Sequence, residues 1–192
     1  MKKIFVALTA LLLLMTGCGS DKPAVPLKTT TIKAEKSSLE ISTPFDLKDT
    51  KIDDFDGLEA FIKKSVTKSA EQDGIMLVVS CNVFDVEKII AQTGQKTFAP
   101  DLNGGLIGAV ANMKNVKSTG SVTDIKINGI DAKEISGTVE VKLSGDENSS
   151  VCDFRIVDFA VDNEFWMVML IRKSNDKTRA VADEIIKSMK LS

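Results

Sequence analysis

Alternation of apolar and polar residues is clearest between residues 121 and 171. Ile125 and Ile127 alternate with polar neighbours up to Asn128-Gly129, which is a strong signal for a tight hairpin turn. Similar runs bounded by polar turns predict three more strands. They cover Ile135–Leu143, Val151–Val161 and Glu164–Ile171. This half of the chain is therefore predicted to form a four-stranded antiparallel meander.

The first half of the chain mixes both periodicities. Helical spacing of apolar residues predicts helices over Asp54–Gln72 and Asp101–Val116, with a short helix around Val86–Gln92. Ser38–Thr43 and the apolar run Ile75–Phe84 are predicted to be strands, the second buried on both faces. The C-terminal stretch is predicted to form a last helix. It covers Asp176–Lys190.

These elements predict an α+β fold. Strands that are apolar on both faces need cover on both sides, and each predicted helix has one apolar stripe. We therefore expect a three-layer α/β/α sandwich with a mostly antiparallel sheet of about six strands. The sandwich would form a single domain over residues 38–192.

Two short strings and the order of elements resemble the DcrB and PsbP-like family of α/β/α sandwich proteins. The first string is Thr43-Pro44-Phe45-Asp46-Leu47, and the second is Glu164–Met169 in the last strand of the meander. The closing helix, which contains Arg179–Ser188, follows this strand in the same order as in the family. The resemblance implies the same sandwich and an accessory binding or assembly role. It brings no catalytic or ligand-binding residue to this chain.

The N-terminus has the ordered parts of an export signal over residues 1–17. Lys2 and Lys3 precede an apolar run, Ile4–Met15, which is shorter than the roughly 20 residues that a transmembrane helix needs. The run ends in Met15-Thr16-Gly17-Cys18, which resembles the lipobox of bacterial lipoproteins. An ordinary secretory signal with an incidental Cys18 is the alternative.

The lipobox resemblance implies cleavage before Cys18 and attachment of diacylglycerol to its sulfur, so Cys18 is the predicted lipidation site. Two or three acyl chains would hold the protein durably on a membrane. We expect an extracytoplasmic protein on the outer face of the cytoplasmic membrane, or on the outer membrane if the host has two. Residues 18–37 are predicted to be the lipidated cysteine and a flexible tether with a reach of roughly 25 Å.

Composition narrows the functional classes. The 192 residues include no histidine and no tyrosine, so a His-based nucleophile, proton shuttle or metal site is excluded. The formal net charge of -2 gives no reason to expect nucleic acid as a partner. The acidic run around Asp54 lacks the spacing of a calcium loop, and Gly104-Gly105 lacks that of a phosphate loop. We therefore predict no cofactor and no metal.

Two further cysteines, Cys81 and Cys152, lie on predicted strands. In an oxidising compartment an even pair could form a structural disulfide if the two strands are close enough. The alternative is a pair of buried thiols that act as small hydrophobic residues.

The strand pair around Asp158 offers a candidate ligand cavity. Asp158 lies in an apolar stretch beside Phe159, while Trp166 and Met167 lie on the next predicted strand. Ordinary core packing is the alternative for Trp166 and Met167, which alternate with Met169 along one strand.

We expect a non-catalytic binding or assembly module for an envelope protein partner, held on the membrane through the lipid anchor at Cys18. The alternative is a carrier of a small or lipophilic ligand between sheet and helix. A third possibility is an enzyme that works with carboxylate, lysine or serine side chains.

Overall fold

The computed structural model describes residues 26–51 and 59–192 and shows a predominantly β protein. Strands hold 50% and helices 21% of these residues. The strands are β1 Lys28–Lys33, β2 Ser38–Thr43, β3 Lys48–Asp49, β4 Ile62–Gln72, β5 Ile75–Phe84, β6 Val116–Thr119, β7 Thr123–Ile127, β8 Ile130–Val141, β9 Ser150–Val161, β10 Glu164–Lys173 and β11 Lys190–Leu191. The α-helices are α1 Val86–Thr93, α2 Leu102–Asn112 and α3 Asp176–Ser188, and a short 3-10 helix covers Glu59–Phe61.

The main sheet has eight antiparallel strands in the order β3-β4-β5-β10-β9-β8-β6, with β7 also paired to β8. Its centre is the pairing of β5, β10 and β9, which places Trp166 between Cys81 and Phe159. Tight turns link neighbouring strands. At Asn128-Gly129 both residues have positive φ, 49° and 90°, the conformation that this dipeptide adopts in hairpins.

The two faces of the main sheet differ in their cover. One face, here the tryptophan face, carries Trp166 and Phe159 and is packed against α3 and a small antiparallel sheet of order β1-β2-β11. The opposite face, here the methionine face, carries Met167 and Met169 beside Ile156 and is contacted by α2. The core is thus divided by the sheet into two clusters of buried side chains.

The predicted three-layer α/β/α sandwich with about six strands is wrong. The structure has an eight-stranded sheet and a three-stranded sheet, and three α-helices within the described residues. The largest error is the helix predicted over Asp54–Gln72. Its part up to residue 58 lies outside the described residues, and Ile62–Gln72 forms strand β4.

The reason for this error is geometric. Val66 and Ala70 are four positions apart, a spacing that puts side chains on one side of a helix and equally on one face of a strand. Pairing with β5 along the whole of β4 decides between the two, because it satisfies the backbone and packs both side chains against the tryptophan-face core. Tertiary context overrides local periodicity here.

The ordered domain also starts earlier than predicted. Residues 28–33, which were expected to belong to the flexible tether of residues 18–37, form β1 and pair with β2 along their whole length. Ile32 in this strand is fully buried. Low hydrophobicity and a run of threonines concealed the strand, although threonine favours strands through its branched Cβ.

The other predicted elements are present, although the helix predicted over Asp101–Val116 ends at Asn112 and Val116 begins the unpredicted strand β6. β2 and β5 have the predicted bounds, β7 to β10 form the antiparallel meander, and α1, α2 and α3 lie where helices were expected. Each helix begins after a residue whose side chain accepts a hydrogen bond from a backbone amide in the first turn. These caps are Asp85, Asp101 and Asn175.

A buried carboxylate joins the small sheet to the main sheet. Glu164, at the start of β10, is 0% exposed. It accepts hydrogen bonds from the backbone amides of Glu35, Lys36 and Ser37 at 2.8, 2.5 and 3.0 Å, and from the Ser37 hydroxyl. The Ser37 Oγ in turn accepts a hydrogen bond from Trp166 Nε1 at 3.1 Å. The β1–β2 turn is thereby fastened to the central strand.

These hydrogen bonds outweigh the cost of burial. Desolvation raises the pKa of Glu164, but the Ser37 hydroxyl and the amides of Lys36, Glu35 and Ser37 together hold that pKa below its usual value. The carboxylate is therefore ionised at neutral pH. Its stabilising contribution is present above the unfolded-state pKa near 4.5 and is lost as the pH falls through its lower folded-state value.

We predict that Glu164→Gln lowers the free energy of unfolding at pH 7 by about 2–4 kcal/mol, because an amide group cannot accept all of these hydrogen bonds. Urea unfolding followed by Trp166 fluorescence measures the change. Glu147→Gln, at an exposed loop position, is the matched control and should change little. The difference between wild type and Glu164→Gln should shrink as the pH is lowered toward 3; a loss below 0.5 kcal/mol at pH 7 would contradict the prediction.

Candidate functional site

Asp158 is the most unusual side chain on the methionine face. It is 0% exposed and lies in β9 between Lys133 of β8 and Met167 of β10, its register partners on either side. Neither of its carboxyl oxygens has a hydrogen-bond partner among the described residues. Buried polar groups are nearly always hydrogen-bonded in native proteins, so an unpaired carboxyl marks a site that needs an explanation.

The nearest basic residue along the sheet is directed elsewhere. Lys133 is the cross-strand neighbour of Asp158, but its Nζ donates to Asp124 Oδ1 at 2.5 Å, and its side chain is 27% exposed. Asp124 is on β7, beyond β8, so the lysine reaches away from Asp158. The carboxyl of Asp158 therefore receives no charge compensation from Lys133 in this arrangement.

Helix α2 covers Asp158 closely. A Cβ placed on Gly105 would lie 2.9 Å from Asp158 Oδ2 and 2.7 Å from Phe165 Cζ, closer than real Cβ atoms approach. Glycine at this position lets the helix backbone rest directly on the carboxyl and on the ring. The sequence Leu102-Asn103-Gly104-Gly105 at the start of α2 thus serves a close approach to the sheet.

Burial changes the acidity of Asp158. Desolvation raises its pKa to about 8, so the group is mostly protonated at pH 7. A neutral carboxyl can donate or accept a hydrogen bond, and its anion can bind a cation. The geometry thus supplies an acid–base group in an apolar setting, with Phe165 and Met167 beside it on the same face.

The floor of the methionine face has further buried polar residues beyond Asp158. Thr67, Ser80 and Asn82 are buried on β4 and β5, and Asn82 Oδ1 has no partner within residues 26–51 and 59–192. The sequence analysis missed this feature. Its signal is present in the run Ile75–Phe84, where the two polar residues Ser80 and Asn82 are two positions apart and so share a face.

The four residues predicted to line one cavity are not brought together. Asp158 and Met167 lie on the methionine face, whereas Phe159 and Trp166 lie on the tryptophan face. The two aromatic rings stack in the core with centroids 6.1 Å apart and planes 8° apart. Adjacent residues of a strand point to opposite faces, so neighbours in sequence were separated by the sheet.

The two cysteines are also separated. Cys81 and Cys152 are buried free thiols, and they belong to the tryptophan-face and methionine-face cores respectively. Cys81 is level with Phe159 across the sheet, seven residues along β9 from Cys152, which corresponds to roughly 23 Å. Desolvation, and then the charge of Glu164, raise the pKa of Cys81 to about 12. The alternative of two buried hydrophobic thiols therefore describes this structure.

Two open grooves lie elsewhere on the surface. One, of 470 Å³, runs beside α3 and contains an ion-pair network of Arg155 with Glu134 and Asp183, and of Arg172 with Asp153. The other, of 480 Å³, lies where the β1–β2 turn meets the β9–β10 turn. The sequence analysis singled out neither groove, because each collects residues from distant strands.

Comparison with known proteins gives little for this chain. No protein-family model matches it, and no curated protein matches it. A solved structure to which it is similar is LpqN, described as involved in cell envelope biogenesis of Mycobacterium tuberculosis. The two share 13% sequence identity with a TM-score of 0.40, over 86% of this chain and 91% of LpqN. The DcrB and PsbP-like resemblance finds no support in these comparisons.

We predict that Asp158→Asn changes the pH dependence of stability. Because the pKa of Asp158 is near 8 in the folded state, the folded protein keeps this group protonated at a pH where the unfolded chain has already lost the proton. The free energy of unfolding of the wild type is therefore highest below about pH 4 and falls progressively up to about pH 8. The Asn variant has no such loss, so it should differ from the wild type by less than about 1 kcal/mol at pH 4 and exceed it by several kcal/mol at pH 9.

Urea unfolding at pH 4, 7 and 9 tests this prediction. Asp131→Asn, which removes an exposed acid from the neighbouring strand β8, is the matched control and should follow the wild-type profile. Parallel profiles for wild type and Asp158→Asn would show that Asp158 is not a buried, unpaired acid in solution.

Proposed function

We propose that the protein is an extracytoplasmic lipoprotein, anchored by a lipid on Cys18, that acts as a non-catalytic binding module for an envelope protein partner. The export signal and the Met15-Thr16-Gly17-Cys18 tetrad support the anchor. The leader and Cys18 lie outside the described residues. Within those residues, no helix has the length and apolar character needed to cross a membrane.

The position of β1 supports a close approach to the membrane. The strand begins at Lys28, ten residues after Cys18, and ten residues span at most about 36 Å when fully extended. The domain would therefore stay within a few nanometres of the lipid headgroups. Confinement to such a layer raises the effective concentration for any partner in the same layer.

The observation that carries the binding role is the apolar surface around α2. Helix α2 buries only Leu106, and its Ile107 is 59% exposed. Half-buried methionines surround the core beneath it. They are Met76, Met113, Met167 and Met169. Methionine side chains adapt to irregular surfaces, and such residues are common at protein-binding faces.

A second candidate function is a ligand carrier. The unpaired carboxyl of Asp158 beneath α2 favours it, because a bound polar group would satisfy oxygens that the described residues leave without partners. The ligand would enter between α2 and the methionine face. Phe159 and Trp166, which face the other core, would take no part.

We expect Cys18→Ser to abolish lipidation, because Cys18 supplies the sulfur that accepts the lipid. Metabolic labelling with an alkyne fatty acid in a bacterial host should label the wild type and leave Cys18→Ser unlabelled and released from the membrane fraction. Cys81→Ser and Cys152→Ser are the matched controls and should remain labelled. Equal labelling of wild type and Cys18→Ser would contradict the proposed anchor.

We expect a photo-crosslinking residue at position 107 to capture an envelope protein in intact cells, because Ile107 is an exposed apolar side chain of α2. Val151 is the matched control. It is 53% exposed but lies in β9 at a position that points to the opposite face of the sheet. A discrete adduct at 107 and none at 151 is the expected result, whereas the same adducts at both positions would argue against a specific surface.

A further inference from the structure

The geometry points to a binding site for a small organic cation, formed by the Asp158 carboxyl and the underside of α2. The ligand class is a primary ammonium group attached to an apolar chain. This inference deepens the carrier role proposed above and rests on it. It uses other side chains than the protein-docking role of Ile107, although both involve helix α2.

The carboxyl of Asp158 offers two hydrogen-bond acceptors for which the described residues supply no donor. Asp158 is fully buried, and both of its oxygens have no hydrogen-bond partner in the described part of the chain. A group that brings N–H donors and a positive charge would satisfy both oxygens at once. Charge-assisted hydrogen bonds of this kind are about twice as strong as neutral ones.

Among the described residues that face Asp158, no cationic side chain competes for its carboxyl. On β8, Lys133 is paired with Asp124, and Asp131 is paired with Lys126. On β10, the neighbouring residues of this face are Phe165, Met167 and Met169. Helix α2 has no charged residue between Leu102 and Asn112, and only its cap, Asp101, is ionisable. The site therefore lacks a positive charge of its own.

Apolar side chains lie next to the Asp158 carboxyl. Phe165 and Met167 flank the carboxyl from β10, and Leu106 is the buried side chain of α2. A hydrophilic cation would lose its hydration against such walls without compensation, whereas an alkyl chain would gain from the contact. The combination selects a cation with an apolar substituent.

The packing of α2 determines how a ligand can reach Asp158. Helix α2 buries only Leu106 fully, while Ala109 and Val110 are partly buried against the core. Gly108 of α2 has no atom within 4 Å of the position where a Cβ would stand. Segments with few buried apolar contacts open at low free-energy cost, so α2 can move away from the sheet far enough to admit a ligand.

The acidity of Asp158 gives the site a characteristic pH dependence. The ammonium group competes with the proton on the carboxyl, whose pKa is about 8. Affinity should therefore rise between pH 6 and pH 8 and level off above pH 8, while an alkylammonium group stays charged throughout. A neutral ligand of the same size would show no such rise.

The experiment measures binding of hexylammonium, 1-hexanol and hexanoate to the full lipidated protein in phosphatidylcholine nanodiscs, by isothermal titration calorimetry at pH 6 and pH 8. Empty nanodiscs correct for partition into lipid. We expect hexylammonium to bind at pH 8 at least tenfold more tightly than hexanol, and at least tenfold more tightly than it binds at pH 6. Hexanoate should show no saturable binding.

Three variants separate the site from general hydrophobic binding. Asp158→Asn should weaken hexylammonium binding at pH 8 at least tenfold, and Asp131→Asn should leave it unchanged. Lys133→Met keeps the carboxyl and removes the nearest lysine, so binding should be unchanged or tighter.

Four results would overturn the inference: equal affinity in wild type and Asp158→Asn, tighter binding of hexanoate than of hexylammonium, weaker binding in Lys133→Met, or no rise in wild-type affinity with pH. The last uses only the wild type, so it holds even if a variant fails to fold. Failure here together with a specific adduct at position 107 would reject the cation site and leave the docking role standing.

Discussion

The ionised carboxylate of Glu164 connects the N-terminal strands to the main sheet. It gathers three consecutive backbone amides and a hydroxyl from the β1–β2 turn, and so fixes the N-terminal strands to the central strand β10. The indole of Trp166 completes the arrangement through Ser37. Because β2 also pairs with β11 and packs against α3, one polar contact aligns the small sheet and the C-terminal helix over the same face. The buried charge is tolerated because each of the two carboxylate oxygens accepts two hydrogen bonds.

The methionine face follows the opposite principle. Its central carboxyl, Asp158, has no partner among the residues described, and the helix above it rests on glycine and one buried leucine. Such an arrangement reduces stability, and the well-packed tryptophan face can offset that loss. Strained or unsatisfied groups concentrate at functional sites for this reason. The tryptophan face thus holds α3 and the small sheet against the main sheet, and the proposed ligand and partner contacts lie on the methionine face.

Local signals predicted elements best where they agreed with one another. The hairpin at Asn128-Gly129 and the apolar run of β5 each had a clear local signal, and the structure confirms both. Val66 and Ala70 of β4 carried a spacing common to helix and strand, and the threonine-rich β1 carried almost no apolar pattern. In both strands, pairing with the next strand in the chain decided the structure, because the backbone hydrogen bonds to β5 and β2 are not visible in the apolar pattern of one segment.

From the sequence alone, histidine chemistry is excluded and the meander with its closing helix is predicted, whereas the export signal and lipidation at Cys18 are predictions that fall outside the described residues. The sequence also marked Asp158 as a polar residue in an apolar strand. Only the tertiary structure decided that Phe159 and Trp166 belong to one core while Asp158 and Met167 belong to the other, and that Cys81 and Cys152 lie apart. The physical reason is that strand periodicity states which residues share a face, whereas the pairing of distant strands and the cover on each face determine what those residues meet.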